Sequence, residues 1–514
     1  MSLSPSETAA ILPLAIPAVA ACLIPIASLD RDQSTQKWIR AVFFGIALLA
    51  LGASFWYTTR VWGSGMQPSY GYLSLDHLAQ FAAIFVQISA IYAVLQLWDH
   101  LRHEGWVKGE ILALLLFSVV GMMLFAATSN LVLLFLALEL FSIPLYALTA
   151  IVRVRDKAPE GGVKYFLTGA VASSCFLMGI VLLYGMTGSF DLNIIGTSLA
   201  KGDLDPLALL GIALLLMGFV FKVSAAPFHQ WTPDAYEAAP HPIAGFMSVA
   251  TKGIAIIVLI RVFGSHLALI AELGSRMQTA FAALAVITLI IGNLTALYQT
   301  NFKRMLAYSS ISHAGYLLLG FVAGTQDAYQ AILFYLCSYL LMNLGAFGLL
   351  SAFGLVGDDT KFSDMRGLGW KRPGLGIAAT ICFLSLAGIP PTAGFIGKYL
   401  LFKELILQGH VAMAILAIVA SLVSVGYYIK PIMAMYMEPP KEDSEPVIAP
   451  LAGATVLVSG LLIIVLGLIP GSLLDGLVKP SIIKDGAADA EVEVVEISLE
   501  ELSPNQLNQL KDSF

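Results

Sequence analysis

Five lysines lie within or at the edge of long apolar runs of this 514-residue chain: Lys164, Lys222, Lys252, Lys398 and Lys430. An arginine keeps its proton in any protein, whereas a buried lysine can lose it near neutral pH. Because the set contains only lysine and no arginine, it indicates proton handling and argues against fixed anion binding.

A single acid, Glu139, stands inside the apolar run 131–152. It lies about eight residues from the start of that run, which at ~1.5 Å of rise per residue is ~12 Å deep, near the middle of a bilayer. A lone carboxylate there costs at least ~2.5–3.5 kcal/mol, so it requires a cationic partner or water. A structural ion pair would also meet this requirement, but the depth favours a functional carboxylate.

The positions of the lysines separate them into two groups. Lys252 lies near mid-membrane, and Lys222 and Lys398 each lie beside a proline-containing interruption. Each of these lysines could instead form a fixed salt bridge or extend its ammonium group to the membrane–water interface. Lys252 lies too deep to reach the interface easily, which favours a functional role for it. Lys164 lies only a turn inside its apolar run, so a functional role and an ammonium group that extends to the interface are equally supported. Lys430 lies close to a helix end, where extension to the interface is the favoured interpretation.

Two histidines complete the candidate residues. His229 lies in the first interrupted region, and His313 lies about ten residues into a later apolar run. Histidine titrates near neutral pH, so each either relays a proton or is a hydrogen-bonded structural residue. We interpret the neighbouring Asp234, Tyr236 and Glu237 as part of the loop fold.

The composition places these residues in a membrane. The chain is 58% hydrophobic and 12% charged, against about 45–50% and about 25% in soluble domains. A soluble protein of this size could not bury so much apolar surface. The formal charge of −6 provides no basic field for nucleic acid. Soluble enzymes and nucleic-acid binders are therefore excluded.

No motif for a redox cofactor or a metal is present in the sequence. The four cysteines lie far apart inside apolar runs, without a Cys-x-x-Cys pair, which argues against iron–sulfur, zinc and disulfide readings. No Gly-x-Gly-x-x-Gly follows a strand, so we expect no dinucleotide site. We therefore predict that this chain binds neither a cofactor nor a metal; the cysteines are Cys22, Cys175, Cys337 and Cys382.

Apolar runs of about 20 residues predict an all-α, polytopic membrane protein, because that length of helix spans a ~30 Å hydrocarbon core. There are fourteen such spans, at about 9–28, 39–58, 78–98, 109–128, 131–152, 163–185, 206–226, 241–263, 277–298, 304–324, 328–353, 374–406, 410–435 and 447–470.

Loop charges orient these spans. The odd-numbered loops carry 15 lysines and arginines and the even-numbered loops carry 5. Basic loops stay on the cytoplasmic side. The bias therefore predicts that the odd loops are cytoplasmic and that both termini lie on the other side.

Two spans are interrupted in the same way, and the interruptions suggest a repeat. Pro227, Pro233, Pro240 and Pro242 follow Lys222, and residues 388–397 before Lys398 include two adjacent prolines. Proline removes a backbone donor, so both helices should unwind there, as in transporters with broken helices. Each break falls in a block of five spans, which predicts two inverted five-helix repeats. The predicted divisions are 1–108, 109–263 (first repeat), 277–435 (second repeat), 447–470 and an acidic tail at 476–514.

The tail has two readings. Residues 485–514 hold eight acids and one lysine. A solvated tail is the simpler interpretation, and a docking segment for a neighbouring subunit is the alternative.

Several motifs resemble those of the antiporter-like membrane subunits of complex I. They are PFHQWTPDAY at 227–236, PHP at 240–242, FMSVATK at 246–252, KRMLAYSSISHAGY at 303–316 and AGIPPTAGFIGK at 387–398. The Trp-Thr-Pro variant at 231–233 is most similar to the subunit N family of proton-translocating NADH-quinone oxidoreductases. The resemblance covers about residues 5–470, and it does not account for the acidic tail.

The resemblance implies roles for individual residues. Glu139 matches a glutamate that pairs with Lys222, Lys252 matches the central lysine, Lys398 matches the lysine of the far broken helix, and Lys164 matches a linking lysine. With His229 and His313, these residues would form the proton pathway.

The resemblance also implies the function. The chain would translocate protons as a subunit of an enzyme whose other subunits carry NADH or ferredoxin oxidation, FMN, iron–sulfur clusters and quinone. Its partners would be an adjacent antiporter-like subunit, small hydrophobic subunits and membrane lipid, most simply in a bacterial plasma membrane. The alternatives are a subunit of a multisubunit Na⁺/H⁺ (Mrp-type) antiporter and a passive scaffold that retains a row of charges.

Overall fold

The computed structural model describes residues 4–478, apart from 28–35, 105–108, 153–154, 202–203, 356, 358 and 441–448. Almost all of it is helical. The α-helices are α1 (Pro5–Ala27), α2 (Gln36–Ser64), α3 (His77–Glu104), α4 (Gly109–Ala126), α5 (Leu131–Thr149), α6 (Lys157–Thr187), α7 (Leu192–Leu199), α8 (Pro206–Val223), α9 (Trp231–Ala238), α10 (His241–Phe246), α11 (Lys252–Leu259), α12 (Ala271–Leu297), α13 (Phe302–Ala323), α14 (Gln326–Ala352), α15 (Leu368–Lys371), α16 (Pro373–Ala387), α17 (Ala393–Leu407), α18 (Val411–Met437), α19 (Pro450–Leu468) and α20 (Gly471–Leu473).

The predicted polytopic helical fold is confirmed. Within the described residues, thirteen helical segments are long and apolar enough to cross a membrane. The remaining predicted span, 374–406, is divided between α16 and α17, which have 15 residues each. A two-stranded hairpin of β1 (Ser69–Tyr70) and β2 (Leu73–Ser74) and the short helix α7 were not predicted.

The eighth span, His241–Leu269, is the centre of the bundle. It consists of α10, a π-helical turn at Met247–Thr251, α11, a second π-helical turn at Ile260–His266 and a 3₁₀ turn at Leu267–Leu269. All residues from 241 to 263 are buried. A helix that is apolar on every side is stable only when other helices surround it.

Both predicted helix breaks are present. Helix α8 ends at Val223, where Ser224 adopts a left-handed conformation (φ 64°), and α9 follows before the central span begins. Helix α16 ends at Ala387, where Gly388 has a φ of 86°, and α17 begins at Ala393. A left-handed residue ends a helix by turning its backbone out of the hydrogen-bonding register.

The helix pairings of the first predicted block recur in the second. Helix α4 packs on α5 as α12 packs on α13, and α6 packs on α8 as α14 packs on α16 and α17. The division into two inverted repeats at 109–263 and 277–435 stays a prediction. The predicted acidic tail lies outside the described residues from 479 onwards.

Candidate functional site

Lys222, Lys252 and Lys398 are buried in the helical bundle, with side chains only 2%, 2% and 3% exposed. Each ammonium group bonds to neutral oxygen atoms. In the part of the chain that the structure describes, no carboxylate oxygen lies within 4 Å of any of the three. A buried cation without a paired anion is costly, so these groups need polar neighbours or proton exchange.

Lys222 lies in the last turn of α8 and points towards α5 and α6. Its Nζ donates to the Ser142 Oγ at 2.6 Å, and Ser142 donates in turn to the carbonyl of Leu138. Four aromatic rings also surround the ammonium within the range of cation–π attraction; they belong to Phe141, Tyr146, Tyr165 and Phe221, at 5.3–5.8 Å.

Glu139 lies on α5, three residues before Ser142. It is half-buried and accepts a hydrogen bond from the Ser173 hydroxyl of α6. The resemblance implied a Glu139–Lys222 pair, but the structure shows no direct contact within 4 Å between them. Ser142 holds the lysine instead, so the two charges interact through space.

Lys252 begins α11, immediately after the first π-helical turn. Such turns are rare and occur often at functional sites. Its Nζ donates to the hydroxyl of Ser310 on α13 and lies 5.7 Å from the centre of the Tyr236 ring. The centre of the bundle therefore holds a lysine whose hydrogen-bond acceptor is a serine.

His313 lies on α13 between two tyrosine hydroxyls. Its Nδ1 is 2.5 Å from the Tyr335 hydroxyl and its Nε2 is 2.9 Å from the Tyr428 hydroxyl. Both Lys252 and Lys398 are close enough to act on it electrostatically. A neutral imidazole has one donor and one acceptor nitrogen, so one tyrosine accepts a hydrogen bond and the other donates one.

Lys398 folds back from α17 onto the end of α16. Its Nζ donates to the carbonyls of Leu386 and Ala387 at 3.0 and 3.1 Å and to the Ser421 Oγ at 2.9 Å. It also lies 4.8 Å from the centre of the Tyr316 ring. The last carbonyls of a helix lack helical partners and carry partial negative charge, which favours a cation at this position.

Lys164 and His229 are less buried than the three lysines. Lys164 is 47% exposed and pairs with Asp234 at 2.8 Å and with Glu160 at 2.7 Å. His229 is half-buried between α8 and α9, within electrostatic range of Lys252. Its Nδ1 has no hydrogen-bond partner among the residues that the structure describes.

An ion-pair cluster anchors α9 beside the first break. Arg304 contacts Asp234 and Glu237 at 2.7 Å each, and Lys157 contacts Glu237 at 2.5 Å. Burial alone would raise the pKa of Asp234, but hydrogen bonds from Lys164 and Arg304 outweigh it, so that pKa lies below its ordinary value. This arrangement agrees with the interpretation of Asp234 and Glu237 as part of the loop fold.

The described residues contain no cluster of three or more histidine, cysteine, aspartate or glutamate side chains that could hold a metal ion. The hydrogen-bond partners of the three buried lysines are serine hydroxyls and backbone carbonyls, and His313 adds an imidazole bonded to two tyrosine hydroxyls. Such groups can bind and release protons.

Sequence reasoning missed several buried polar residues. Lys303, assigned to a loop, is fully buried and donates to the carbonyl of Ala239 at 3.0 Å. Tyr335 and Tyr339 on α14 both face His313. Their spacing of four residues in an apolar run was an available signal, because it places two hydroxyls on one helix face.

Comparisons with known proteins identify the family of this chain. A family model described as "NADH:quinone oxidoreductase/Mrp antiporter, TM" matches residues 128–424. NADH-quinone oxidoreductase subunit N of Trichlorobacter lovleyi is 40% identical to this chain over 467 residues, which cover 90% of this chain and 93% of that protein.

Two solved structures also resemble this chain over most of its length. A chain of respiratory complex I from Thermus thermophilus with bound aureothin matches with a TM-score of 0.76 and 35% identity, over 91% of this chain and 99% of that chain. A chain of the Mrp complex from Dietzia sp. DQ12-45-1b matches with a TM-score of 0.80 over 93% and 97% of the two chains. Its identity of 19% shows a shared fold alone.

Proposed function

This chain belongs to the subunit N family of NADH-quinone oxidoreductases, and we propose that it translocates protons across a membrane as one subunit of such a complex. NADH oxidation and quinone reduction, with their flavin and iron–sulfur cofactors, occur in other subunits. The chain supplies the proton pathway and contacts the neighbouring membrane subunits of the complex. The proposed location is a bacterial plasma membrane, and the loop charges favour both termini on its outer side.

One observation supports this proposal above all. Lys222, Lys252 and Lys398 are buried and bonded to neutral oxygen atoms, without a carboxylate within 4 Å. A carboxylate in direct contact would hold each lysine in its charged form. Without one, moderate changes in the local field change the proton occupancy of these lysines.

In the proposed mechanism, Glu139 acts first. A charge change that reaches the chain from a neighbouring subunit moves this carboxylate towards or away from Lys222. Because unlike charges stabilise each other strongly in a medium of low dielectric constant, the movement changes the proton affinity of Lys222.

The proton then passes along the row. It moves from Lys222 to Lys252 over water near His229, and from Lys252 to Lys398 through His313 and its two tyrosines. We assign Lys164 a linking role at the surface of the first break through its ion pairs with Asp234 and Glu160. The blocks 109–263 and 277–435 would be the two inverted repeats whose junction carries this row.

The test is proton pumping by the assembled complex in vesicles. Lys252→Ala and Glu139→Ala should each lower NADH-driven pumping by at least about tenfold, because a positioned proton carrier contributes that much or more, while the complex still assembles. Lys430→Ala is the matched control, since among the described residues this half-buried lysine donates only to the carbonyl of Leu297. An unchanged ratio of protons to electrons in the first two variants would overturn the pathway.

Purification distinguishes the proposal from its alternative. A tagged chain should be recovered from mild detergent together with NADH-driven quinone reduction, bound flavin and iron. Recovery of a redox-silent assembly that exchanges Na⁺ for H⁺ in vesicles would instead establish an antiporter subunit.

A further inference from the structure

The buried lysines need a route from bulk water. Lys252 is fully enclosed, and all residues of its helix from 241 to 263 are buried. His241, Ser248 and Lys252 follow each other along that helix at intervals of seven and four residues. Seven residues make about two α-helical turns, and the four residues from Ser248 to Lys252 make about one turn of the π-helical segment, so all three lie close to one face. The face runs from the end of the helix that adjoins the basic loops to the central lysine.

The inner part of this face is lined by polar groups of α14 and α13. The Asn343 side-chain amide donates to the Ser248 hydroxyl and, at 3.0 Å, to the Tyr339 hydroxyl. The Asn343 Oδ1 is buried and has no hydrogen-bond partner in the described residues. Lys252 itself donates to Ser310. Ser248 and Asn343 therefore bring a free acceptor and a hydroxyl to within one helical turn of Lys252.

The outer part of the face ends at two histidine rings. His241 and His100 of α3 lie with their ring centres 5.1 Å apart, and both are buried. The His241 Nε2 lies 3.0 Å from the carbonyl oxygen of the half-buried residue Leu355. A carbonyl only accepts, so Nε2 carries the hydrogen and Nδ1 is the basic nitrogen. No hydrogen-bond partner meets Nδ1 within the part of the chain that the structure describes.

Several charged groups surround this pair. Lys303 of α13 and Arg155 are the nearby cations. Asp99, next to His100 on α3, accepts from the backbone N–H of Ala452 at the start of α19 at 2.8 Å. Because these cations repel a positive charge on His241, a protonated His241 ring would be short-lived. It could pass a proton on but would not hold it.

We propose that His241, in contact with His100, passes protons from the side of the basic loops to Lys252 along the face that contains Ser248 and Asn343. The proposal rests on the proposed function and adds its uptake route. A proton binds to the Nδ1 of His241 while Nε2–H stays bonded to Leu355. Loss of that proton towards Ser248 restores the neutral ring, and the neutral Lys252 amine takes the proton up. The rise from His241 to Ser248 is about 10 Å, which a chain of two or three water molecules spans.

The test compares His241→Gln with the intact complex in vesicles. Glutamine keeps an N–H for Leu355 but cannot carry a proton. We expect pumping to fall about fivefold at pH 8 and to recover to within about twofold at pH 6, because direct transfer from the more abundant hydronium replaces the relay. His100→Phe, which keeps a ring against His241, should show a weaker form of the same pH dependence.

Two controls make each result decisive. His77→Gln removes a half-buried histidine at the opposite end of α3 and should leave pumping unchanged at every pH. A loss in His241→Gln by the same factor at all pH values would indicate a structural role and overturn the proposal. Normal pumping by His241→Gln alongside impaired Lys252→Ala would overturn the uptake route alone, and normal pumping by both would overturn the proposed function.

Discussion

The two broken helices hold their lysines in different ways. In the first half, Lys222 reaches across to another helix and donates to Ser142, three residues from the only acid of that helix. In the second half, Lys398 turns back on its own broken span and donates to the carbonyls of Leu386 and Ala387. The breaks differ in length too, because a charged helix, α9, lies within the first, whereas only residues 388–392 separate α16 from α17.

This difference suggests different tasks for the two lysines. The charge of Lys222 depends on a neighbouring helix, so a small movement of Glu139 changes its surroundings. The charge of Lys398 is stabilised by the C-terminal carbonyls of α16, which the backbone fixes in place. The first lysine is therefore suited to receive a signal, and the second is suited to hold a proton until it is released.

The largest effect should come from Glu139, the acid that acts on Lys222 in the first half. Glu139→Gln keeps the hydrogen bond from Ser173 but removes the charge that acts on Lys222. We expect NADH-driven pumping to fall by at least about tenfold, with normal assembly. Glu160→Gln, an acid at the surface of α6, is the control. Equal pumping by Glu139→Gln and the parent would show that the two halves work without this switch.

The second prediction compares stability. In Lys398→Met the buried Leu386 carbonyl loses its donor, whereas the Ala387 carbonyl keeps a hydrogen bond from Ser421, so the free energy of unfolding should fall by about 1–3 kcal/mol. In Lys222→Met the Ser142 hydroxyl still donates to Leu138, and the thioether lies among four aromatic rings, so the loss should stay below about 1 kcal/mol. Thermal unfolding of the purified complex measures both. If the two variants lost the same amount of unfolding free energy, the inference that Lys398 has a larger structural role than Lys222 would be wrong.

The helices and their breaks could be predicted because hydrophobic length and proline act locally. The runs at 109–128 and 206–226 correspond to α4 and α8 to within a few residues. The site was only partly predictable, because depth in a run identifies Lys252 as buried but does not identify Ser310 as its partner. Nothing local to Lys303 indicates burial, since its acceptor, the carbonyl of Ala239, lies 64 residues away.

The expected contact between Glu139 and Lys222, which the structure does not show, illustrates the same limit of prediction from sequence. The resemblance implies that Glu139 pairs with Lys222, and opposite charges in a medium of low dielectric constant attract each other strongly. The sequence contains no sign that Ser142, about one turn further along α5, accepts the hydrogen bond from Lys222. Side-chain competition of this kind depends on how α5 and α8 pack, which only the tertiary structure supplies.

A third, smaller effect should separate the two serine acceptors. Ser142→Ala removes the one hydrogen-bond acceptor of Lys222 within the described residues and leaves Glu139 as the nearest anion. We expect pumping to fall about threefold, because a direct ion pair would hold the proton on Lys222. In Ser421→Ala, Lys398 keeps both carbonyls, so pumping should stay within about 1.5-fold of the parent. Equal effects of the two variants would remove the distinction between the halves.

The smallest effect should come from the outer anchor of the first break. Lys164 and Arg304 both bond to Asp234 and keep its pKa low. A carboxyl with a lowered pKa in the folded state contributes stability above its unfolded value, and that stability is lost as the pH falls through the lowered pKa. Lys164→Gln should cost less than about 0.5 kcal/mol at neutral pH, since the lysine is half exposed, and less still in high salt.

The same variant should also change the acid limb of the stability curve. With Arg304 as its remaining partner, Asp234 regains part of its ordinary pKa, so thermal stability should begin to fall at a higher pH than in the parent. Unfolding temperatures between pH 3 and pH 7 measure this change, and pumping at neutral pH should stay within twofold. If pumping instead fell as far as in Glu139→Gln, Lys164 would carry protons, and the first half would be linked to the surface by a titrating lysine and not by an ion-pair anchor.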